Sequence, residues 1–143
     1  MRELTIDEAN ALVPTLHRLV ARAMLFKDEL EARVALLHAR LGSLPRDLAP
    51  RSDDDGDVVD LKRQIQETIT GFEAGWAEVQ ALGGVVKDPR AGLVDFYGRV
   101  DGELVWLCWR FGEERIGYYH ALDQGFAQRR PLPDAPPVHR ILS

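Results

Sequence analysis

The chain has a single cysteine in 143 residues, Cys108. One thiol closes no intramolecular disulfide, and no Cys/His cluster has zinc-finger spacing, which removes both cross-links that commonly hold small domains together. No apolar stretch approaches the ~20 residues a membrane helix requires. The opening MRELTIDEAN lacks the basic region and apolar run of a signal peptide. The expected location is therefore the cytoplasm, with no membrane partner. Basic side chains are also scarce: 18 Lys and Arg face 23 Asp and Glu, a net charge of -5. Nucleic-acid and membrane-surface binding need a basic footprint, so neither is expected. The local cluster Arg129, Arg130, His139 and Arg140 reads as a solvated tail. Phosphate loops are missing too, since Gly83-Gly84 follows a helical pattern and nothing resembles G-x-x-x-x-G-K-[ST].

What remains is ordinary globular material, 45% hydrophobic and 29% charged, long enough to bury a core as one domain over residues 1–143. TIDE is a capping box, with Thr5 at the cap and Glu8 three residues on. Leu12, Leu16, Leu19, Ala23, Phe26, Leu30, Val34, Leu37 and Leu41 then recur at heptad spacing, predicting a first helix over 6–41, kinked at Pro14. A loop over 42–57 carries the acidic run Asp53, Asp54, Asp55, Asp57. It is not a calcium loop: Gly56 precedes the last acid instead of following the third ligand, and no Glu closes it. Asp57 is expected to cap the second helix, over 58–83, whose stripe is Val58, Leu61, Ile65, Ile69, Phe72, Trp76, Val79 and Leu82. Two such helices form a coiled-coil-like antiparallel hairpin. Its uncovered apolar surface calls for the C-terminal segment and a second copy of the chain, so a homodimer is expected.

From residue 92 the period changes to two. LVDFYGRV and ELVWLCWR flank Asp101-Gly102, the strongest short hairpin signal. That turn pairs Val94 with Trp109 and Phe96 with Leu107 on a helix-facing side that includes Val105. Asp95 then lies opposite Cys108 and Tyr97 opposite Trp106 on the other side. Gly112-Glu113 reads as a second tight turn with glycine first, leading RIGYYH into a third strand with Ile116, Tyr118 and His120 toward the helices. The sheet is thus expected over 92–120, with a turn and proline-rich extended tail over 121–143. Lys87 and Asp88 before Pro89 read as a turn with a local ion pair. The fold class is α+β: a long helical hairpin followed by a small antiparallel meander packed on it.

EANALVP, GVVKDPRAGLVDF, LCWRFGEERIGYYH and DQGFAQRRPL together resemble a bacterial family known as domain of unknown function 2203. The resemblance covers essentially the whole chain and is most distinctive in the C-terminal third. There Leu107, Cys108, Trp109, Gly112, Glu113, Ile116, Tyr118, Tyr119, His120, Asp123, Gly125, Phe126 and Arg129 match the family's pattern. No activity is established for the family, so the resemblance implies no mechanism; it marks this segment as the working end.

Three chemistries are candidates there. Glu113, His120 and Asp123 are one imidazole and two carboxylates, a donor set that iron, manganese or zinc accept, so a divalent metal is the candidate cofactor. On a straight helix, however, Glu113 would lie about 10 Å from His120. Cys108 with His120 and Asp123 or Asp95 has the residue types of a nucleophilic arrangement, in the mid-strand setting of an inert thiol. Tyr97, Trp106, Tyr119 and Arg129 offer a recognition surface for a protein or small molecule, with Arg129 in reach of Glu113 or Asp123. The favoured reading is a homodimeric, non-enzymatic interaction or ligand-binding module; the alternative is a small metal-binding protein or metal-dependent enzyme.

Overall fold

The computed structural model describes residues 2–133, so the expected proline-rich end of the tail, with His139 and Arg140, lies outside the described residues. The chain is α+β and divides into two compact units, one formed by residues up to Ala21 and from Trp76 onward, the other by Arg22–Gly75. Three helices come first, α1 (Ile6–Ala11), α2 (Val13–Leu41) and α3 (Gly56–Ala81). Five strands follow: β1 (Val85–Asp88), β2 (Leu93–Val100), β3 (Glu103–Arg110), β4 (Tyr118–His120) and β5 (Arg130–Pro131). None of the described helices is long and apolar enough to cross a membrane.

The capping box forms: Thr5 Oγ1 accepts from the Glu8 amide at 3.0 Å, and Glu8 Oε1 accepts from the Thr5 amide at 2.9 Å. The helix breaks at Leu12, two residues before the proline. Pro14 thus falls in the first turn of α2, where an N–H has no helical acceptor and its absence costs nothing.

In the hairpin unit, α2 and α3 run antiparallel, as pairs along their length show. Arg40 reaches Asp57, Arg33 donates to Thr68 at 2.6 Å, and Phe26 lies against Gly71. A Cβ at Gly71 would come within 2.7 Å of the Phe26 ring, so glycine there permits the close crossing. Leu37, Val58 and Ile65 form the buried cluster, flanked by Leu30, Val34, Leu61 and Ile69. The acidic run pairs with cations: Asp55 and Asp57 hold Arg40, and Asp54 Oδ2 accepts from Lys62 Nζ at 2.8 Å. Asp57 lies inside the first turn of α3, not at the cap position expected for it. The helix begins at Gly56, two residues earlier than expected, and the Asp57 carboxylate turns to Arg40 Nε at 2.9 Å.

The sheet unit is a meander in the order β1-β2-β3-β4-β5, antiparallel throughout. Asp101 and Gly102 adopt φ of 52° and 81°, the left-handed pair of a type I′ turn. The register that follows sets Val94 opposite Trp109, Phe96 opposite Leu107 and Asp95 opposite Cys108, as the turn predicted. Val94, Phe96, Leu107 and Trp109 are fully buried, each contributing about 1.5–3 kcal/mol. Their side faces helix residues of this unit: a Cβ on Gly84 would meet both Val94 and Val79. At Gly98 a Cβ would come within 2.6 Å of Leu107 and 3.0 Å of the Leu4 carbonyl. Glycine there lets Leu4 donate its amide to Tyr97 O at 2.8 Å, beside an isolated parallel bridge of Glu3 to Tyr97 outside the antiparallel strands.

The third strand forms with the opposite face. His120 pairs with Trp106 and Tyr118 with Cys108, which puts His120 and Tyr118 on the Asp95 side, away from the helices. The expected placement is off by one residue. The tight turn spans Arg110–Glu113, with the Glu113 amide donating to Arg110 O at 3.0 Å and Gly112 at φ 98° as its second central residue, not its first. A glycine at positive φ in that position is what a type II turn requires, and the shift by one residue reverses every side chain beyond it.

The Lys62–Asp54 pair carries a pH signature. Lys62 is fully buried, and its hydrogen bond holds the Asp54 carboxyl below its usual range, with the Arg51 amide adding to it. A depressed carboxyl contributes stability above its unfolded pKa and loses it as pH falls through the folded value. Asp54→Asn is therefore expected to lower Tm at pH 7, and the gap from the parent should close on acidification through pH 4 to 3. Thermal melts along that series check it; a gap that stays constant would detach the pair from stability.

Candidate functional site

The register places three different donor side chains at one point on the sheet face away from the helices. Asp95 comes from β2, Cys108 opposite it from β3, and His120 from β4. They are 2%, 1% and 2% exposed, and a carboxylate oxygen, the sulfur and a ring nitrogen lie within 4.8 Å of one another. All three line a cavity of about 80 Å³ whose remaining wall is Lys87, Leu93, Gln124, Gly125 and Phe126.

His120 is fixed at both nitrogens. Nε2 lies 2.9 Å from Asp95 Oδ2 and Nδ1 lies 3.0 Å from the Ala121 carbonyl. A carbonyl only accepts, so Nδ1 carries a hydrogen; the Nε2–Oδ2 contact holds a second proton on one side or the other. The pair is neutral overall in either arrangement. Burial pushes the Asp95 carboxyl above its usual range, against the pull of His120, Cys108 and Lys87. Burial, with Asp95 beside it, also pushes the Cys108 thiol up to about 12, although Arg129 draws it the other way. Cys108 is thus a protonated thiol at neutral pH, not an activated nucleophile.

A second, partly buried pair lies nearby. Arg129 donates to both Glu113 oxygens, at 3.0 and 2.8 Å, and its guanidinium lies 4.0 Å from the Tyr118 ring centre and 4.1 Å from that of Phe126. Glu113 Oε1 also accepts the Arg110 amide at 2.8 Å, and the Glu113 carbonyl accepts the Trp109 indole N–H at 2.9 Å. This network ties the segment after β4 across the sheet. A short 3-10 turn, Phe126–Gln128, and the Gln124 side-chain Oε1, which accepts from the Ala121 amide at 3.2 Å, shape that segment over the cavity.

Of the residues proposed as metal ligands, His120 lines the cavity, Glu113 is committed to Arg129, and Asp123 lies exposed in the turn after β4. Of the recognition residues, Tyr97 and Trp106 pack with ring centres 3.9 Å apart and planes tilted by 32° on the cavity's side of the sheet. Tyr119 pairs with Leu107 and so belongs to the opposite side, under Arg130 at 5.0 Å. Lys87, expected in an ion pair with Asp88, instead sits in β1 with Nζ 3.8 Å from the Trp106 ring centre. Asp88 spends its carboxylate on the Arg90 and Ala91 amides. Lys87, Leu93 and Gln124 are the wall residues that sequence patterns did not single out as a site.

Burial of an un-ionised thiol makes a simple expectation. At pH 8 only roughly one Cys108 in ten thousand is thiolate, by its raised pKa. The native protein should therefore resist a disulfide-type thiol reagent at that pH, while denatured protein releases one thiol per chain, and the native rate should follow global unfolding across a urea series. Rapid labelling of folded protein at low urea would contradict the buried placement.

Neither the curated proteins nor the solved structures include a match to this chain. A family model does match, from residue 2 to residue 132, and so spans all five strands and every residue of the cavity wall. The chain belongs to the family described as Uncharacterized conserved protein (DUF2203).

Proposed function

We propose that this protein is a ligand-binding module whose site is the cavity on the outer face of the C-terminal sheet, and that its ligand is a small organic acid. One observation carries this reading: the cavity's formal charge is unbalanced in a single place. Asp95 and His120 share their protons to zero net charge, and Cys108 is neutral. Glu113 and Arg129 cancel beside it. Lys87 remains, its ammonium held over Trp106 at the rim. Gln124 has its oxygen engaged by the Ala121 amide, so what it offers a ligand is its NH2. The positive charge and the amide donor suit a carboxylate, and Leu93 and Phe126 suit a short apolar tail. At roughly 10–15 Å³ per water-sized position, the cavity of about 80 Å³ holds some five to eight such positions. The matching ligand is a carboxylic acid of a few carbons.

Titration of 15N-labelled protein with acetate, propionate and butyrate tests this, read at the Trp106 indole and Gln124 amide signals. Saturable shifts are expected, weakened about tenfold by Lys87→Met through the lost charged hydrogen bond. Equal affinity in Lys87→Met, or an equal response to inorganic phosphate, would sink the reading.

A second reading, association of two copies through the helices, has its own support. Leu25 and Leu36 are 66% and 61% exposed and lie about three turns apart on one side of α2. Light scattering is expected to give the mass of a dimer, and Leu25→Glu with Leu36→Glu to give that of a monomer. A monomeric parent protein at tens of micromolar would dispose of the idea.

A further inference from the structure

The three donors at the cavity floor have a composition that organic-acid binding does not need. Of the groups considered, Lys87, Gln124, Leu93 and Phe126 account for recognition of a carboxylate and its tail. A protonated thiol and a carboxylate–imidazole pair, all buried, add nothing to it. Asp95 and His120 offset the cost of burial by pairing with each other at 2.9 Å, and coordination of an ion is the other arrangement that accommodates such groups. They come from three adjacent strands, so the backbone ladder itself fixes their spacing.

We propose that Asp95 Oδ, Cys108 Sγ and His120 Nε2 bind one divalent metal ion, with zinc the best match. One oxygen, one sulfur and one nitrogen lie mutually within 4.8 Å, near enough for small side-chain rotations to bring all three to the bond lengths of about 2.0–2.3 Å that zinc makes to these atoms. Thiolate with imidazole selects zinc or iron over magnesium and calcium. The charge balance fits a buried site: one thiolate and one carboxylate cancel a divalent cation, leaving the imidazole neutral. Binding therefore releases two protons, one from the Cys108 sulfur and one from the Asp95–His120 contact. The floor is neutral before and after, so the ion brings no net charge into the interior.

The surroundings support the same assignment. A histidine ligand characteristically donates its other ring N–H to a carbonyl or carboxylate, which fixes the ring. His120 Nδ1 does this with the Ala121 carbonyl at 3.0 Å. Arg129, fixed by Glu113, stands next to the sulfur and favours its ionised form. Three protein ligands leave a fourth position, the pattern of zinc sites that accept a water or substrate. The cavity lies where that position would open. Glu113 and Asp123, the carboxylates suggested by proximity in sequence, take no part: one is held by Arg129 and the other is exposed.

The test uses the full, tag-free chain. Elemental analysis after incubation with zinc is expected to give one ion per chain, and cobalt(II) substitution a thiolate-to-cobalt charge-transfer band. Cys108 is the only cysteine, so the band in the parent protein identifies the ligand even where a variant fails to fold. His120→Ala and Asp95→Asn are expected to weaken zinc by more than the roughly tenfold to hundredfold typical of a supporting group. Asp123→Asn should leave it unchanged. No band with cobalt, or zinc bound equally by His120→Ala that retains its far-UV circular dichroism, would overturn the proposal. The carboxylate titration run without metal stands or falls separately.

Discussion

Two residues at positive φ, Asp101 at 52° and Gly102 at 81°, set the alignment on which the site depends. A type I′ turn matches the right-handed twist of its strands and admits a single register between them. Moved by one residue, that register would set Asp95 among the apolar residues facing the helices and bring a hydrophobic side chain to the cavity. The same turn therefore places Phe96 and Leu107 in the core and Asp95 against Cys108. Core and site cannot be altered independently, because they are the two faces of one ladder.

The two faces bury their groups for different physical reasons. Val94, Phe96, Leu107 and Trp109 gain by leaving water. Asp95, Glu113 and His120 lose hydration and recover it only through partners. Replacing a buried ion pair by well-packed apolar residues is often neutral or stabilising. The Glu113–Arg129 pair is thus a poor source of stability but a good positioning device: two parallel hydrogen bonds and two flanking rings allow the guanidinium little choice of orientation. By holding Arg129, Glu113 also holds the segment that forms the cavity's outer wall. A floor on three strands and a wall tied by a charged fork give a cavity whose shape the fold itself sets.

Much of this could be read from local chemistry, and the failures have identifiable causes. The Thr5 cap, the helical stripes and the Asp101-Gly102 hairpin with its full register all depend on neighbours in sequence or on one well-defined turn, whereas Arg129, sixteen residues from Glu113, was open between Glu113 and Asp123. The face of β4 did not follow, because RFGEER admits two turns that differ by one residue and use Gly112 in different positions. That single slip moved His120 from the helix side to the Asp95 side. It also explains why Asp123, close in sequence, was considered as a metal ligand while Asp95, twenty-five residues away across the sheet, was considered only as an acid partner for Cys108. β1 escaped notice because it pairs over only four residues, with an irregularity between Val86 and Asp88. β5, two residues containing a proline, has almost no periodicity to find.

The irregularity in β1 matters for the site. A bulge lets one strand carry an extra residue and re-aims the side chain there. The register passes from Val86 opposite Val94 to Asp88 opposite Leu93, so Lys87 is the residue left without a partner in the ladder. Its stem leaves from the edge of the sheet while its ammonium lies over Trp106, two strands in. A lysine in regular pairing at an edge would ordinarily extend into water, where its charge is screened. Held against an aromatic face beside a buried, neutral floor, the charge acts through less water and over a shorter range. The residue of β1 left without a partner in the ladder thus supplies the ammonium over Trp106, and an edge defect becomes the feature that brings a cation to the cavity wall.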